Sequence, residues 1–301
     1  MTTTAPNPTG TIHDLGYEPY AGPRLAQRRR FLVIARNVAA IAWRSRWGVK
    51  VPILLTALVT IGAATAMTFA DRFGGMKILA GGKPLLPTTT VLFTATGIYG
   101  FLAFLLAAAV GWGAVADDMK TGAFQFYFSR PLRVRDYVAG KLCGVCLVVG
   151  MPMLVGPLLL ALFHLALADG GAALVHDLPL VARTAAVGLV ATLVYALVPL
   201  GIGALVRRRA PAQALFVVVF LVVSGIAKGM AQGLRMPTLG LLSITADVEA
   251  VVRAIYGIDR DPAHPPALLA ALALAALGAL SLAIVYRRVA AAETTGIGGG
   301  S

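Results

Sequence analysis

The sequence predicts an all-α, polytopic integral membrane protein with six transmembrane helices and both termini on the cytoplasmic side. Three observations carry this prediction. Of the 301 residues, 58% are hydrophobic and only 13% charged. Six long runs contain no Asp, Glu, Lys or Arg, and the basic residues crowd onto alternate connections between them. A soluble domain is about one quarter charged and under half apolar, and a disordered chain lacks this much apolar surface. The mean hydropathy of +0.81 agrees.

Residues 1–23 are polar and rich in Pro and Gly, with no apolar core of a secretory signal, and are expected to form a flexible cytoplasmic tail. In residues 24–50, Phe31, Ile34, Val38 and Ile41 recur at helical spacing, with arginines around the rest of the wheel. That pattern predicts an amphipathic interfacial helix, with Trp43 and Trp47 at headgroup depth. A polybasic lead-in that sets topology is compatible with the same residues.

The six-span domain is expected over 51–288, with spans at about 51–70, 88–116, 142–168, 184–206, 210–227 and 265–286. Crossing a hydrocarbon core of about 30 Å takes roughly 20 helical residues. Unbroken apolar runs of this length cannot be alternating barrel strands. Residues 289–301 are expected to be a second flexible cytoplasmic tail, and the closing Gly-Gly-Gly-Ser is left out of fold reasoning.

Sidedness follows from charge. The connections on the side of both termini carry 18 of the 26 Lys and Arg, for a net +12, and the opposite side nets +1. By the positive-inside rule the first side is cytoplasmic. A total charge of +13 in a soluble chain would suggest nucleic acid; here the basic face meets anionic lipid, and no nucleic-acid partner is expected.

All 13 acids fall outside the predicted spans, and His164 is the one ionisable group expected within them, as a neutral imidazole bonded to a neighbouring helix. Ion-coupled carriers usually place ionisable groups inside the membrane. No phosphate-binding Gly-rich loop occurs; the pairs Gly82-Lys83 and Gly140-Lys141 lack its other residues. Nor is any soluble stretch long enough for a nucleotide-binding domain. Cys143 and Cys146 share a helix face, but no further ligand completes a metal site, so no catalytic or metal-binding residue is expected. Pro152, Pro157, Pro199, Gly201 and Gly203 within the spans suit close helix packing or hinges.

The longest external connection carries Leu241, Ile244, Val248, Val251 and Ile255 at helical spacing, with Ser243, Asp247, Glu249 and Arg253 on other faces. This predicts a second amphipathic helix, at the outer mouth or in a dimer contact. The connection between spans 2 and 3 is the most informative segment. Asp117 and Asp118 suit a helix N-terminus, where the dipole favours anions. Phe124 and Phe128, four apart, with Tyr127 beside them, form an aromatic patch, and Pro131 stops the helix. Such a cytoplasmic helix either docks in a partner's groove or lies flat on lipid.

The run Asp117…Thr121-Gly122-Ala123-Phe124-Gln125…Ser129-Arg130-Pro131…Asp136-Tyr137…Gly140-Lys141 resembles the signature of ATP-binding-cassette permeases of the bacterial type 2 exporter class. It departs from that pattern at Ala123 and Gln125, where Thr and Glu are commoner. The stretch from Tyr17 to Arg24 also resembles some bacterial members, and the six-span layout extends the likeness across nearly the whole chain. The resemblance implies the membrane permease of an ATP-driven exporter in the bacterial plasma (inner) membrane. It implies a dimer with a second copy or paralogue and a pair of cytoplasmic ABC ATPase subunits. ATP and magnesium then bind the ATPases, with no cofactor in this chain. It further implies that the segment between spans 2 and 3 is the coupling helix, through Asp117, Asp118, Thr121, Gly122, Phe124, Tyr127, Phe128, Arg130 and Pro131. The turn Arg207, Arg208 and Arg209 is a second candidate contact with the ATPase. Competing readings are a small dimeric secondary transporter, a lipid head-group enzyme built on Asp117, Asp118 and Asp136, and a non-transporting scaffold that anchors an ATPase.

Overall fold

A helix in lipid satisfies every backbone N–H and C=O within its own ladder, and the computed structural model is helical wherever this sequence is apolar. It describes residues 30–44, 47–72, 87–128, 132–167, 171–206 and 209–296, with backbone alone for 70–72, 172–174, 176, 209 and 294–296. The helices are α1 (Arg30–Arg44), α2 (Lys50–Arg72), α3 (Thr88–Leu106), α4 (Gly113–Thr121), α5 (Ala123–Phe128), α6 (Val134–Gly150), α7 (Gly156–Ala166), α8 (Gly171–Leu205), α9 (Arg209–Val217), α10 (Ser224–Gly233), α11 (Ile244–Tyr256) and α12 (Ala267–Gly296). Wide π turns at Ala107–Gly111, Met151–Val155 and Val218–Val223 join α3 to α4, α6 to α7 and α9 to α10.

Six helices are long and apolar enough to cross a membrane: Lys50–Phe69, Thr88–Thr121, Val134–Ala166, Asp177–Leu205, Ala210–Gly233 and Ala267–Glu293. The second, third and fourth are mostly enclosed by neighbours, whereas the first, fifth and sixth present most of their surface outward. Leu54, Leu58, Leu268 and Leu272 are among the exposed apolar side chains on this outer layer, as expected where lipid is the solvent.

Several ends differ from the sequence expectation. Span 2 runs past 116 to Thr121, and span 3 begins at Val134 and not at 142. Stopping a span at the first charge fails here because Asp118 and Lys141 neutralise each other across the two helix ends. Lys141 therefore lies inside a helix and is buried. Span 5 likewise continues past 227 through Lys228, which is paired with Glu249. The last helix continues to Gly296, so the tail expected from 289 is corrected; Ala290, Ala291, Ala292 and Glu293 are strong helix formers. The tail over 1–23 and residues 297–301 lie outside the described residues.

Helix crossings inside the bundle are close. A Cβ on Gly111 would meet Pro199 at 2.7 Å, and one on Gly203 would overlap the Trp112 carbonyl oxygen. Spans 2 and 4 can therefore cross here only with small residues at the contact. Pro152 falls within the wide turn Met151–Val155, where an interrupted ladder tolerates its missing N–H.

A helix forms in the segment 24–50 as α1, and its buried face is Ile34, Ala35, Val38 and Ala42. Ile41, on the stripe that the periodicity reads as apolar, is 60% exposed. The side of α1 that packs on the protein is rotated from that stripe because α1 seats on α6, the most extensive helix pair among the described residues. Trp43 and Trp47 are exposed. At the other end of the bundle, α11 starts where Ser243 Oγ accepts from the Ala246 N–H at 3.2 Å, and ends at Gly257 with φ +71°. Its Ile244, Val248 and Val251 are buried, but so is Asp247, which the periodicity assigned to a polar face.

Candidate functional site

At the end of span 2 the chain turns from α4 into the short helix α5, and these two helices form a hairpin. Helix α4 ends at Thr121, whose hydroxyl donates to the Asp117 carbonyl at 2.9 Å. Gly122, at φ +67°, closes the helix by donating its N–H to the Asp118 carbonyl. A left-handed residue here turns the chain out of α4 and into α5, and glycine adopts it without strain.

Asp117 and Asp118 stand near the C-terminal end of α4, not at the N-terminus of a helix. The dipole there disfavours an anion, so another group must stabilise the carboxylate. For Asp118 that group is Lys141: its Nζ lies 2.6 Å from Oδ2, and the Tyr137 hydroxyl donates to the same oxygen at 2.6 Å. Lys141 is 4% exposed and Tyr137 is fully buried. The ammonium also sits 5.5 Å from the centre of the Tyr137 ring.

The aromatic patch forms, but it faces the protein. Phe124 and Tyr127 each meet the Tyr137 ring edge-on at 5.3 Å, and Phe128 stacks on Phe124 at 6.0 Å. Burial, with the nearby Asp118 charge, pushes the Tyr127 phenol up. The ring on the outward face is Phe126, 76% exposed, a residue the four-residue spacing passed over. Arg130, Pro131, Arg207 and Arg208 lie outside the described residues, and Arg209 opens α9.

Helix α6 carries this arrangement through Gly140 and Gly144. A Cβ on Gly140 would meet Ile34 Cβ at 2.7 Å and the Phe31 carbonyl at 2.8 Å; one on Gly144 would meet Val38 Cβ at 2.6 Å. One helix thus holds α1 on its glycines and the hairpin on Tyr137 and Lys141. The glycine spacing, small residues four apart in an apolar run, was readable in the sequence; the pairing of Asp118 with Lys141 had no local signal.

At the opposite end, Glu249 is a charge hub. Lys228 Nζ bonds its Oε2 at 2.7 Å, Arg253 reaches Oε1 at 3.4 Å, and His264 Nε2 lies 3.1 Å away. The other ring nitrogen of His264 is 3.1 Å from Asp261. Burial pulls the Glu249 carboxyl up, but the hydrogen bond and charge of Lys228, with His264, outweigh it and hold Glu249 below its usual value. The N–H of Ala263, bonded to the carboxylate, is the main influence lowering Asp261. Burial pushes Asp247 up to about 7. His164, near the C-terminal end of span 3, reaches Asp177 of α8 at 3.5 Å.

Between these ends, a cavity of about 430 Å³ opens among α3, the wide turn Val218–Val223 and α11. Phe93, Phe101, Phe104, Tyr195 and Phe220 line it, with Glu249 among the lining residues. Cys143 and Cys146 are free thiols, and among the described residues no group of three His, Cys, Asp or Glu is placed to hold a metal.

No curated protein matches the chain. The family model described as ABC-2 family transporter protein matches residues 32–289, from α1 into α12 and through every span. That family is a membrane transport component, and membership implies association with an ABC ATPase. With six apolar helices the chain is a multi-pass membrane protein and an ABC transporter permease. The chain belongs to the ABC-2 family of transporter proteins.

Proposed function

We propose that this chain is the permease of an ATP-driven exporter in a bacterial plasma membrane. It works as a dimer with a second copy or a paralogue, and its arginine-rich side faces the cytoplasm. There the hairpin formed by α4 and α5 docks an ABC ATPase. ATP and magnesium bind the ATPase, and this chain performs no chemistry. Closure of the ATPases displaces the hairpins, and the spans respond as a two-state bundle.

The observation that supports this reading best is the form of the hairpin. Its inward rings fix it to α6, and Phe126 stands outward on the other face. An exposed aromatic ring on a rigid base suits a partner's groove. The excess of Lys and Arg on this side supports a cytoplasmic placement.

The test is co-reconstitution. The purified chain is expected to hydrolyse no ATP, and a co-expressed ABC ATPase is expected to bind it and to lose that binding on Phe126→Ala. Unchanged ATPase binding and ATP-driven transport in Phe126→Ala, and in Phe124→Ala with Phe128→Ala, would remove the docking assignment.

A further inference from the structure

We propose that Asp118 and Lys141 are positioning residues for coupling: their ion pair clamps the hairpin to span 3, so that force on the hairpin enters the membrane through α6. The inference rests on the docking role proposed above and adds the route by which movement leaves the hairpin.

Two covalent routes lead from α5 into the membrane. Towards span 2, the chain passes through Gly122 into α4, where Asp118 stands, and beyond it the ladder is interrupted by the wide turn Ala107–Gly111. A π turn is where a helix kinks. Towards span 3, residues 129–131 lie outside the described residues, and α6 begins at Val134. What joins the hairpin directly to α6 is lateral: the rings of α5 against Tyr137 and the pairing of Asp118 of α4 with Lys141. Ring edges against Tyr137 resist separation but tolerate sliding. The pair at 2.6 Å differs, because its oxygen also accepts from the Tyr137 hydroxyl at 2.6 Å. Two charge-assisted bonds converging on one atom fix direction as well as distance.

Burial makes slipping costly. The side chain of Lys141 is 5% exposed and that of Asp118 is 15% exposed. Separating them would leave each charge poorly solvated, which is far less favourable than the joined state. A buried pair adds little stability over packed apolar groups, so its use here suits geometry better than strength. Because α1 seats on Gly140 and Gly144 of the same helix, α1, α6 and the hairpin form one unit that moves together.

The experiment uses the complex of the full chain and its ATPase in lipid nanodiscs. A fluorophore is placed at Leu162→Cys in α7, in a Cys143→Ala, Cys146→Ala background; Leu162 is 44% exposed. The readout is the fluorescence change on adding ATP and vanadate, per bound ATPase. In Lys141→Met the amplitude is expected to fall about tenfold, a typical size for a lost coupling, while the ATPase stays bound; Asp118→Asn is expected to show the same fall per bound ATPase. The swap Asp118→Lys with Lys141→Asp is expected to restore most of it. Tyr137→Phe keeps the ring and removes one hydrogen bond to Asp118, and an amplitude loss of about threefold is expected, the scale of one hydrogen bond.

Full amplitude in a folded Lys141→Met complex overturns the clamp and leaves the docking role standing. Should that variant fail to fold, full amplitude in Tyr137→Phe overturns it instead. A wild-type chain that binds no ATPase removes both readings.

Discussion

Phe124 and Phe126, two residues apart on α5, face opposite ways: Phe124 is 8% exposed and lies edge-on to Tyr137 at 5.3 Å, whereas Phe126 is 76% exposed. The consequence is a division of labour within six residues. Phe124 packs the hairpin on α6, and Phe126 is the ring proposed to meet the ATPase. Substitutions at the two positions should therefore separate folding from docking. Phe124→Ala is expected to cost about 3 kcal/mol, in the range for a buried ring. Phe126→Ala should change stability by no more than about 0.5 kcal/mol yet weaken ATPase capture. Chemical unfolding in detergent and pull-down of the ATPase read the two effects; equal stability losses would refute the division.

The seat of α1 makes a second case. No side chain fits between Gly144 and Val38, where a Cβ would stand 2.6 Å from another. Gly144→Ala is expected to destabilise the fold by about 1–3 kcal/mol through overpacking, and to expose residues 30–44 to protease. Unaltered cleavage kinetics and melting would show that α1 does not depend on this contact.

Asp247 gives a pH dependence of definite sign. Its carboxyl, pushed up to about 7 by burial from 3.8, is 2% exposed, and one of its oxygens has no hydrogen-bond partner. Between those two values the folded state binds the extra proton, so stability falls as pH rises through the window and the full cost is present above it. Asp247→Asn removes the charge. Its melting temperature should exceed wild type at about pH 8 and match it at about pH 4. A gap that is constant with pH would contradict this.

Glu249 has the opposite sign. Burial alone would raise it, but Lys228 and His264 hold it below 4.5. Its contribution is therefore present above the unfolded value and lost as pH falls through the folded one. Glu249→Gln is expected to cost about 1 kcal/mol at neutral pH, an amount kept small because Lys228 is 35% exposed. Hydrogen exchange in residues 258–266 should speed up in the variant, since His264 loses the carboxylate that faces Nε2. Unchanged exchange there would show that the hub does not brace the loop.

The fold was largely legible because apolar length and periodicity are local. The six spans, α1 and α11 each announce themselves within one window of residues, and Ser243 and Gly257 mark the ends of α11. What stayed hidden depends on partners distant in the chain. Asp118 and Lys141 read as loop charges until the two helix ends come together. Lys228 read as the end of span 5 because Glu249, its partner, lies on another helix. The seat of α1 was hidden for the same reason: the periodicity shows an apolar stripe, but Gly140 and Gly144 decide which side of the helix packs on the protein. At the hairpin, four-residue spacing correctly grouped Phe124 with Phe128, but it could not tell the inward face from the outward one.

The most direct test of the account places a photo-cross-linking amino acid at Phe126 in the full-length chain, co-expressed with an ABC ATPase in native membranes. The account predicts a light-dependent covalent adduct with the ATPase, identified by mass spectrometry. It also predicts that a Phe126→Cys chain lacking Cys143 and Cys146 reacts with an impermeant thiol reagent only from the cytoplasmic side. Labelling from the opposite side, or adducts to lipid and this chain alone, would contradict it.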